Sequence, residues 1–339
     1  MTFDVIYNNG TQDIYITPIV KSVKWSGDIK QAYRTLEVEI SNTIDGIKPA
    51  ILFESGRNLR LAYKDDYYNG QVFTGVIFGS NIDIDGQMTI TAYDENVYLT
   101  KNIDTRIFRK LTAAAIVKRL CNDFGIPMGE VTDTGFVIPK LILRDKTLYD
   151  MMITALTETE KHTGKRFILY SWDGSLQLRE RKQQSVQWVL ENGTNILNAS
   201  YSQSIEDLKT QVKVVGGDVE KNPIVATVKN DALIKCYGVM QHLENADADA
   251  TQSQINQLAN QLLTDLGTIA DEANLDCLGF ADVISGTSIY VKEAMTGIVG
   301  SYYVSSDVHT LENGLHTMSV KLSATDDLPT LEYEKEATK

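Results

Sequence analysis

A chain of 339 residues with 43% hydrophobic content is too long for one ordinary domain and apolar enough for real cores, so about two to four domains are expected. Its 45 acidic against 32 basic residues leave a net charge of -13, which argues against a basic surface for gripping nucleic-acid phosphate. Cys121, Cys236 and Cys277 are widely spaced with no C-x-x-C pair, arguing against a disulfide framework or zinc site, and no basic leader or run of about 18 apolar residues occurs, so a soluble, cytosolically made protein without membrane insertion is expected.

From Phe3 to Tyr98 the chain runs in short segments of period near two, among them Thr35–Ile40, Asn58–Tyr63, Val72–Ile77 and Met88–Tyr93, each bounded by Gly, Asn or Asp. Asp85-Gly86 closes the last hairpin, and residues 1–103 read as a first tube-like β-barrel. The period then changes. Ala113–Phe124 is predicted to be a helix capped by Thr112 and stopped at Gly125, and Leu148–Lys161 a second helix ending near Gly164. With a hairpin around Asp173-Gly174, residues 104–190 read as an α+β domain, in which Met151, Met152 and Trp172 are core residues.

Strands return after Leu190, with Ile196–Ser202 and Gln211–Val215, and run on from Val283. Ile224–Val228 and Ile234–Tyr237 read as strands, and Ile255, Leu258, Ala259, Leu262, Leu263 and Leu266 share one face of a helix capped by Thr251 or Ser253. The expected arrangement is therefore α+β but mainly β. A second barrel comprises 191–216 and 281–328, an α/β insertion 217–280, and a flexible tail 329–339.

The strongest hairpin signal is Gly300–Leu322 around Glu312-Asn313-Gly314. A three-residue loop is predicted, because it sets Val308 opposite Met318 and Val304 opposite Leu322 on one apolar face. That register places His309 and His316 on opposite faces, which disfavours a shared metal ion.

The two β regions overlay. Glu54–Leu61 sits over Ile284–Val291, Gly70–Phe73 over Gly300–Tyr303, Ala92-Tyr93-Asp94 over Ala324-Thr325-Asp326, and Lys24–Ile29 over Ser200–Ile205. The insertion falls where the first copy has Asn42–Phe53. Three chains with two similar barrels each would set six barrels around one axis, a pseudo-six-fold ring from three-fold symmetry.

With the segments Thr147–Met151, Gly164–Tyr170, Gly300–Val304 and His309–Leu322, this architecture resembles the baseplate hub proteins of contractile phage tails. These form the late control gene D family, here of the XkdQ/YqbQ type found in defective prophages and phage-tail-like bacteriocins. The resemblance implies a structural homotrimer adapting a hexameric tail tube to a trimeric central spike. The expected partners are that spike, tube or tube-initiator proteins, other baseplate proteins and a tape measure protein. It implies assembly in the bacterial cytoplasm and residence in a virion or tail-like particle, without sequence-specific nucleic-acid binding. No spike domain follows Leu328, which disfavours a single-chain hub-plus-spike protein.

No residue pattern demands an enzyme. G-x-S-x-G, a helical H-x-x-x-H and a Walker motif are absent, and no catalytic, cofactor-binding or metal-ligating residue is assigned. Glu158 and Glu160, beside Lys161 and His162, are two residues apart on a helix and point away from each other; Cys277 has no neighbouring His in sequence. Lys161, Lys165, Arg166, Arg179, Arg181 and Lys182 form the one basic concentration, read as a solvated face or a surface for an acidic partner. The alternative function is a β-rich tail protein that binds wall polysaccharide or hydrolyses peptidoglycan, with Tyr67-Tyr68 and Tyr302-Tyr303 stacking on sugars.

Overall fold

The computed structural model describes residues 1–43, 50–183, 188–218, 222–246, 250–331 and 333. The chain is mainly β and divides into two compact units, one of residues 1–200 with 274–339, the other of residues 201–273.

In the first unit β1 (Thr2–Asn8), β2 (Asp13–Tyr15), β3 (Val20–Asp28), β4 (Thr35–Ser41), β5 (Asn58–Lys64), β6 (Asn69–Ile82) and β7 (Gln87–Tyr93) are antiparallel, in spatial order β3-β4-β7-β6-β5-β1-β2. Alternation decides which side is core. Leu36, Val38 and Ile40 of β4, Leu59, Leu61 and Tyr63 of β5, and Met88, Ile90 and Ala92 of β7 are buried, while Glu37 and Glu39 face outward. They pack with Tyr7, Trp25 and Phe73, each large apolar side chain contributing about 1.5–3 kcal/mol on burial.

A helical layer follows: α1 (Tyr98–Lys101), β8 (Ile103–Thr112), α2 (Ala113–Phe124), β9 (Met128–Val131), β10 (Val137–Thr147), α3 (Leu148–Thr163), β11 (Phe167–Trp172) and β12 (Ser175–Glu180). β8 pairs with β10, and β11-β12-β9 form a small sheet. Both long helices begin and end as the sequence predicts. Thr112 Oγ1 accepts from Ala115 N at 3.2 Å and Thr147 Oγ1 from Asp150 N at 3.0 Å, while Gly125 and Gly164 close the C-termini at φ 66° and 68°. Met151 and Met152 are fully buried among Ile116, Leu120 and Leu178, and Trp172 packs partly buried beside Ile168 and Ile284.

The chain continues through β13 (Val189–Glu191) and β14 (Ile196–Ser204). The second unit then contains β15 (Gln211–Asp218), β16 (Asn222–Lys229), α4 (Asp231–Tyr237), β17 (Gln241–Asn245) and α5 (Gln252–Leu266). Its sheet is ordered β16-β15-β17, and Val212, Val214 and Ala226 bury against Ile255 and Ala259 of α5. Two expectations are corrected here. Gln211–Val215 belongs to this small sheet, not to a barrel, because β16 and β17 flank it. Ile234–Tyr237 is helical, because the Asn230 side chain accepts from Ala232 N and Leu233 N and starts a helix.

β18 (Ala270–Leu278), β19 (Ser288–Glu293), β20 (Ile298–Glu312) and β21 (Leu315–Ser323) complete the chain. They pair in the order β19-β20-β21-β18-β14, the counterpart of β5-β6-β7-β4-β3. The hydrogen bonds run alike in the two sets of strands. Gly56 N donates to Ile77 O and Ile77 N to Arg57 O; Gly286 N donates to Val304 O and Val304 N to Thr287 O. Each pairing then bulges, at Phe78 and at Ser305, before resuming at Gly79 and Ser306. This register keeps Glu54–Leu61 over Ile284–Val291, but it moves Ile77 onto Val304, so the overlay of Gly70–Phe73 on Gly300–Tyr303 slips by three residues. The second unit lies between β14 and β18, so its counterpart in the first copy is the β3–β4 connection and not Asn42–Phe53.

The 300–322 hairpin also corrects its predicted register. Glu312 pairs with Leu315 across a two-residue turn, Asn313 and Gly314 having φ 52° and 74°. His309 therefore faces Met318 and Asp307 faces Val320, and only the bulge at Ser305 restores Val304 opposite Leu322. Asp307 and His309 are core residues at 1% and 0% exposure, whereas Val308 is exposed. At the C-terminus, Leu331 N donates to Thr157 Oγ1 and the Tyr333 hydroxyl accepts from Ile142 N, tying this part of the expected flexible tail to the helical layer. Residues 332 and 334–339 lie outside those described.

Candidate assembly site

β20 is the hinge of the architecture. Its first half pairs with β19, and its second half pairs antiparallel with β3, from Ser306 opposite Asp28 to Glu312 opposite Ser22. This seam fuses the two copies into one continuous sheet. Leu311, Trp25, Val23 and Met318 lie buried along it.

A buried polar spine crosses the seam. Arg34 donates to both Asp307 carboxylate oxygens, at 3.0 Å through Nη1, and Ser285 N donates to the same carboxylate at 2.6 Å. Burial alone would raise Asp307, but Arg34 and His309 hold it far below the usual carboxylate range. Trp25 stacks on His309 with centroids 4.3 Å apart and planes 8° from parallel.

His309 Nδ1 and His316 Nε2 are 3.0 Å apart, His309 Nε2 is 3.1 Å from Val283 O, and His316 Nδ1 is 2.9 Å from the Tyr63 hydroxyl. The expectation that these rings fall on opposite faces is thereby overturned: the two-residue turn brings both inward. Proton accounting follows. His309 Nε2–H donates to the carbonyl, and Tyr63 donates to Asp65 at 2.8 Å, so His316 Nδ1–H must donate to Tyr63. Burial and the neighbouring His309 push His316 down to about 3, while His309 Nε2 lies 3.4 Å from the Asp307 carboxylate.

The other candidate residues do not assemble into a chemical site. Glu158 pairs with Lys161 at 3.1 Å and Glu160 with Arg166 Nε at 2.7 Å, so the two carboxylates serve different cations; His162 stacks on Phe136. Arg166 also reaches Asp326 and Asp327, Lys165 meets Glu180, and Arg179 meets Glu130, so much of the basic concentration is neutralised internally. Arg181 is fully buried, donating to Gly286 O at 2.6 Å and lying 4.3 Å from the Tyr303 ring, and burial lowers it to about 10. Cys277 is buried and pushed up to about 12. Among the described residues no group of three or more His, Cys, Asp or Glu is arranged to hold a metal ion. Tyr68 is partly buried, while Tyr67 is 74% exposed and stands edge-on to Trp188 at 5.1 Å, with Phe280 beside them. Among the described residues, no helix is long and apolar enough to cross a membrane.

Two edges of the large sheet stand out against the closed seam. β14 is its terminal strand, and β6 beyond Ile77 pairs with β7 on one side while its pairing with β5 ends at Val76. Exposed apolar side chains mark both: Ile82 at 51% on one, with Ile84 fully exposed in the turn beyond it, and Leu197 at 58% and Tyr201 at 46% on the other.

This is the fold of solved phage tail proteins. The chain is similar to the 43 kDa tail protein of prophage MuSo2 from Shewanella oneidensis, with TM-score 0.69 and 15% identity over 96% of this chain and 100% of that one. It is also similar in fold to a chain of the Francisella PdpA-VgrG complex, with TM-score 0.58 and 11% identity over 100% of this chain and 60% of that one. At the sequence level the match is tighter. The phage-like element PBSX protein XkdQ of Bacillus subtilis is 32% identical over 92% of this chain and 94% of its own length. The family described as YQBQ-like matches residues 23–323, and the chain belongs to that family.

Proposed function

We propose that this chain is a structural protein of a phage-tail or tail-like baseplate, and that three copies close a ring of six similar β-halves adapting a hexameric tube to a trimeric spike. The observation that carries the reading is the repeated strand order, β5-β6-β7-β4-β3 and β19-β20-β21-β18-β14, joined in one chain by the β20–β3 seam. Two quasi-equivalent halves per chain are what a three-fold assembly needs to meet a six-fold one. The relation to XkdQ, a phage-like element protein, and the tail-protein fold support placing the chain in such a particle. A VgrG-type spike is the proposed neighbour below the ring, tube proteins the neighbours above it, with other baseplate proteins and a tape measure protein as further partners.

The role is non-enzymatic in this reading, and the excess of acidic residues lines a passage that does not retain nucleic acid. Light scattering of the purified chain is expected to give a trimeric mass, and images of the particle a ring in which the two halves alternate. A monomer that cleaves peptidoglycan would overturn the proposal. The exposed Tyr67 beside Trp188 and Phe280 favours one second reading, binding of wall polysaccharide, which sedimentation with purified cell wall would test.

A further inference from the structure

We infer that neighbouring copies join by pairing the outer edge of the end of β6, residues 79–82, antiparallel with β14 of the next copy; this rests on the trimeric reading and names its interface. The argument is the seam that the chain already makes with itself. Within the chain, Ser306–Glu312 of the second half pairs with Ser22–Asp28 of the first. The matching hydrogen bonds and bulges place Gly79 of β6 where Ser306 lies in β20, so Ile82 corresponds to His309. The overlay of Lys24–Ile29 on Ser200–Ile205 places Tyr201 where Trp25 lies, and both strands border the matching neighbour, β4 or β18.

Hence the same joint, made the other way round, uses Gly79–Ile82 of one copy and Tyr201–Ser204 of the next. These are the two edges described above. The side chains support the match. Trp25 and His309 are buried at the internal seam, whereas their counterparts Tyr201 and Ile82 are 46% and 51% exposed in the single chain. Strand addition supplies main-chain hydrogen bonds, and the exposed apolar side chains supply burial. Because the donor edge and the acceptor edge are different strands, the contact is heterologous; since it repeats the internal joint, alternating internal and external joints turn in the same sense, and a turn of about 60° per joint closes them after six halves.

The register is specific. Asn81 lies opposite Ser202 of the neighbouring copy, as Val308 lies opposite Ser26 within the chain. In full-length protein carrying Cys236→Ser to remove the exposed thiol, Asn81→Cys with Ser202→Cys is expected to give covalent dimers and trimers on mild oxidation or with a short bis-maleimide, while neither single cysteine does. Ile82→Lys is expected to shift the trimer to monomer at equal concentration and to melt at the midpoint of the wild-type chain diluted to monomer, since the residue is half exposed in the single chain. A trimer that neither cross-links at 81–202 nor dissociates with Ile82→Lys overturns this interface and leaves the ring reading standing. A chain that is monomeric throughout overturns both.

Discussion

Asp307 is the residue whose neighbours explain most of the seam. It is buried with Arg34, accepts from Ser285 N and faces His309, so the carboxylate fixes three segments at once. Asp307→Ala would leave the Arg34 charge buried without its partner, and a loss of about 3–5 kcal/mol in denaturant unfolding is expected. The histidines give a pH signature. His316 is depressed to about 3 in the folded chain, so between an unfolded value near 6.5 and about 3 the unfolded state binds a proton that the folded state refuses. Stability therefore falls as pH drops through that window, by at most about 1.4 kcal/mol per pH unit from this group. His316→Gln is expected to cost stability at pH 7 and to flatten that part of the profile; a parallel slope in wild type and variant would refute the assignment. The basic residues were legible as a group in the sequence but their partners were not: Arg166 meets Asp326 and Asp327, about 160 positions away, and nothing local announces such a pairing.

At the scale of elements, what could be read depended on whether the signal was local. Thr112 as a cap, Thr251 as one of two candidate caps, and Gly125 and Gly164 as stops are local chemistry, and each stands where the sequence puts it, whereas the Thr147 cap emerges only in the structure. The 300–322 register failed for a physical reason. An apolar-face rule assumes that charged residues point out, but Asp307 and His309 are buried with Arg34, His316 and Tyr63, so the polar residues mark the core side. Ile234–Tyr237 failed because the Asn230 cap outweighs the β-like composition of four residues. The turn itself is testable. Asn313 and Gly314 both have positive φ, so Gly314→Ala is expected to cost about 1 kcal/mol in thermal unfolding, whereas Asn313→Gly should be near neutral.

For the whole molecule, the sequence overlay proposed a repeat, while the offsets between the two similar strand orders needed hydrogen bonds: a bulge shifts a strand by one residue without changing its composition. The same logic decides the status of residues 201–273. β3 reaches β4 through the short stretch 29–34, whereas the equivalent strands β14 and β18 are separated by a unit with its own sheet, helix and core. If that unit is an insertion into a repeated half, the half does not need it to fold. Replacing residues 205–269 by a short Gly-containing turn should leave β14 and β18 paired, since residues 198 and 276 are already bonded, Asn198 Nδ2 donating to Asp276 at 3.2 Å. The expected product is a soluble chain that unfolds cooperatively and has the trimeric mass of the parent. A shortened chain that unfolds without a cooperative transition would mean that the unit is an integral part of the second half, and the equivalence of the two halves would then fail as the basis of a pseudo-six-fold ring.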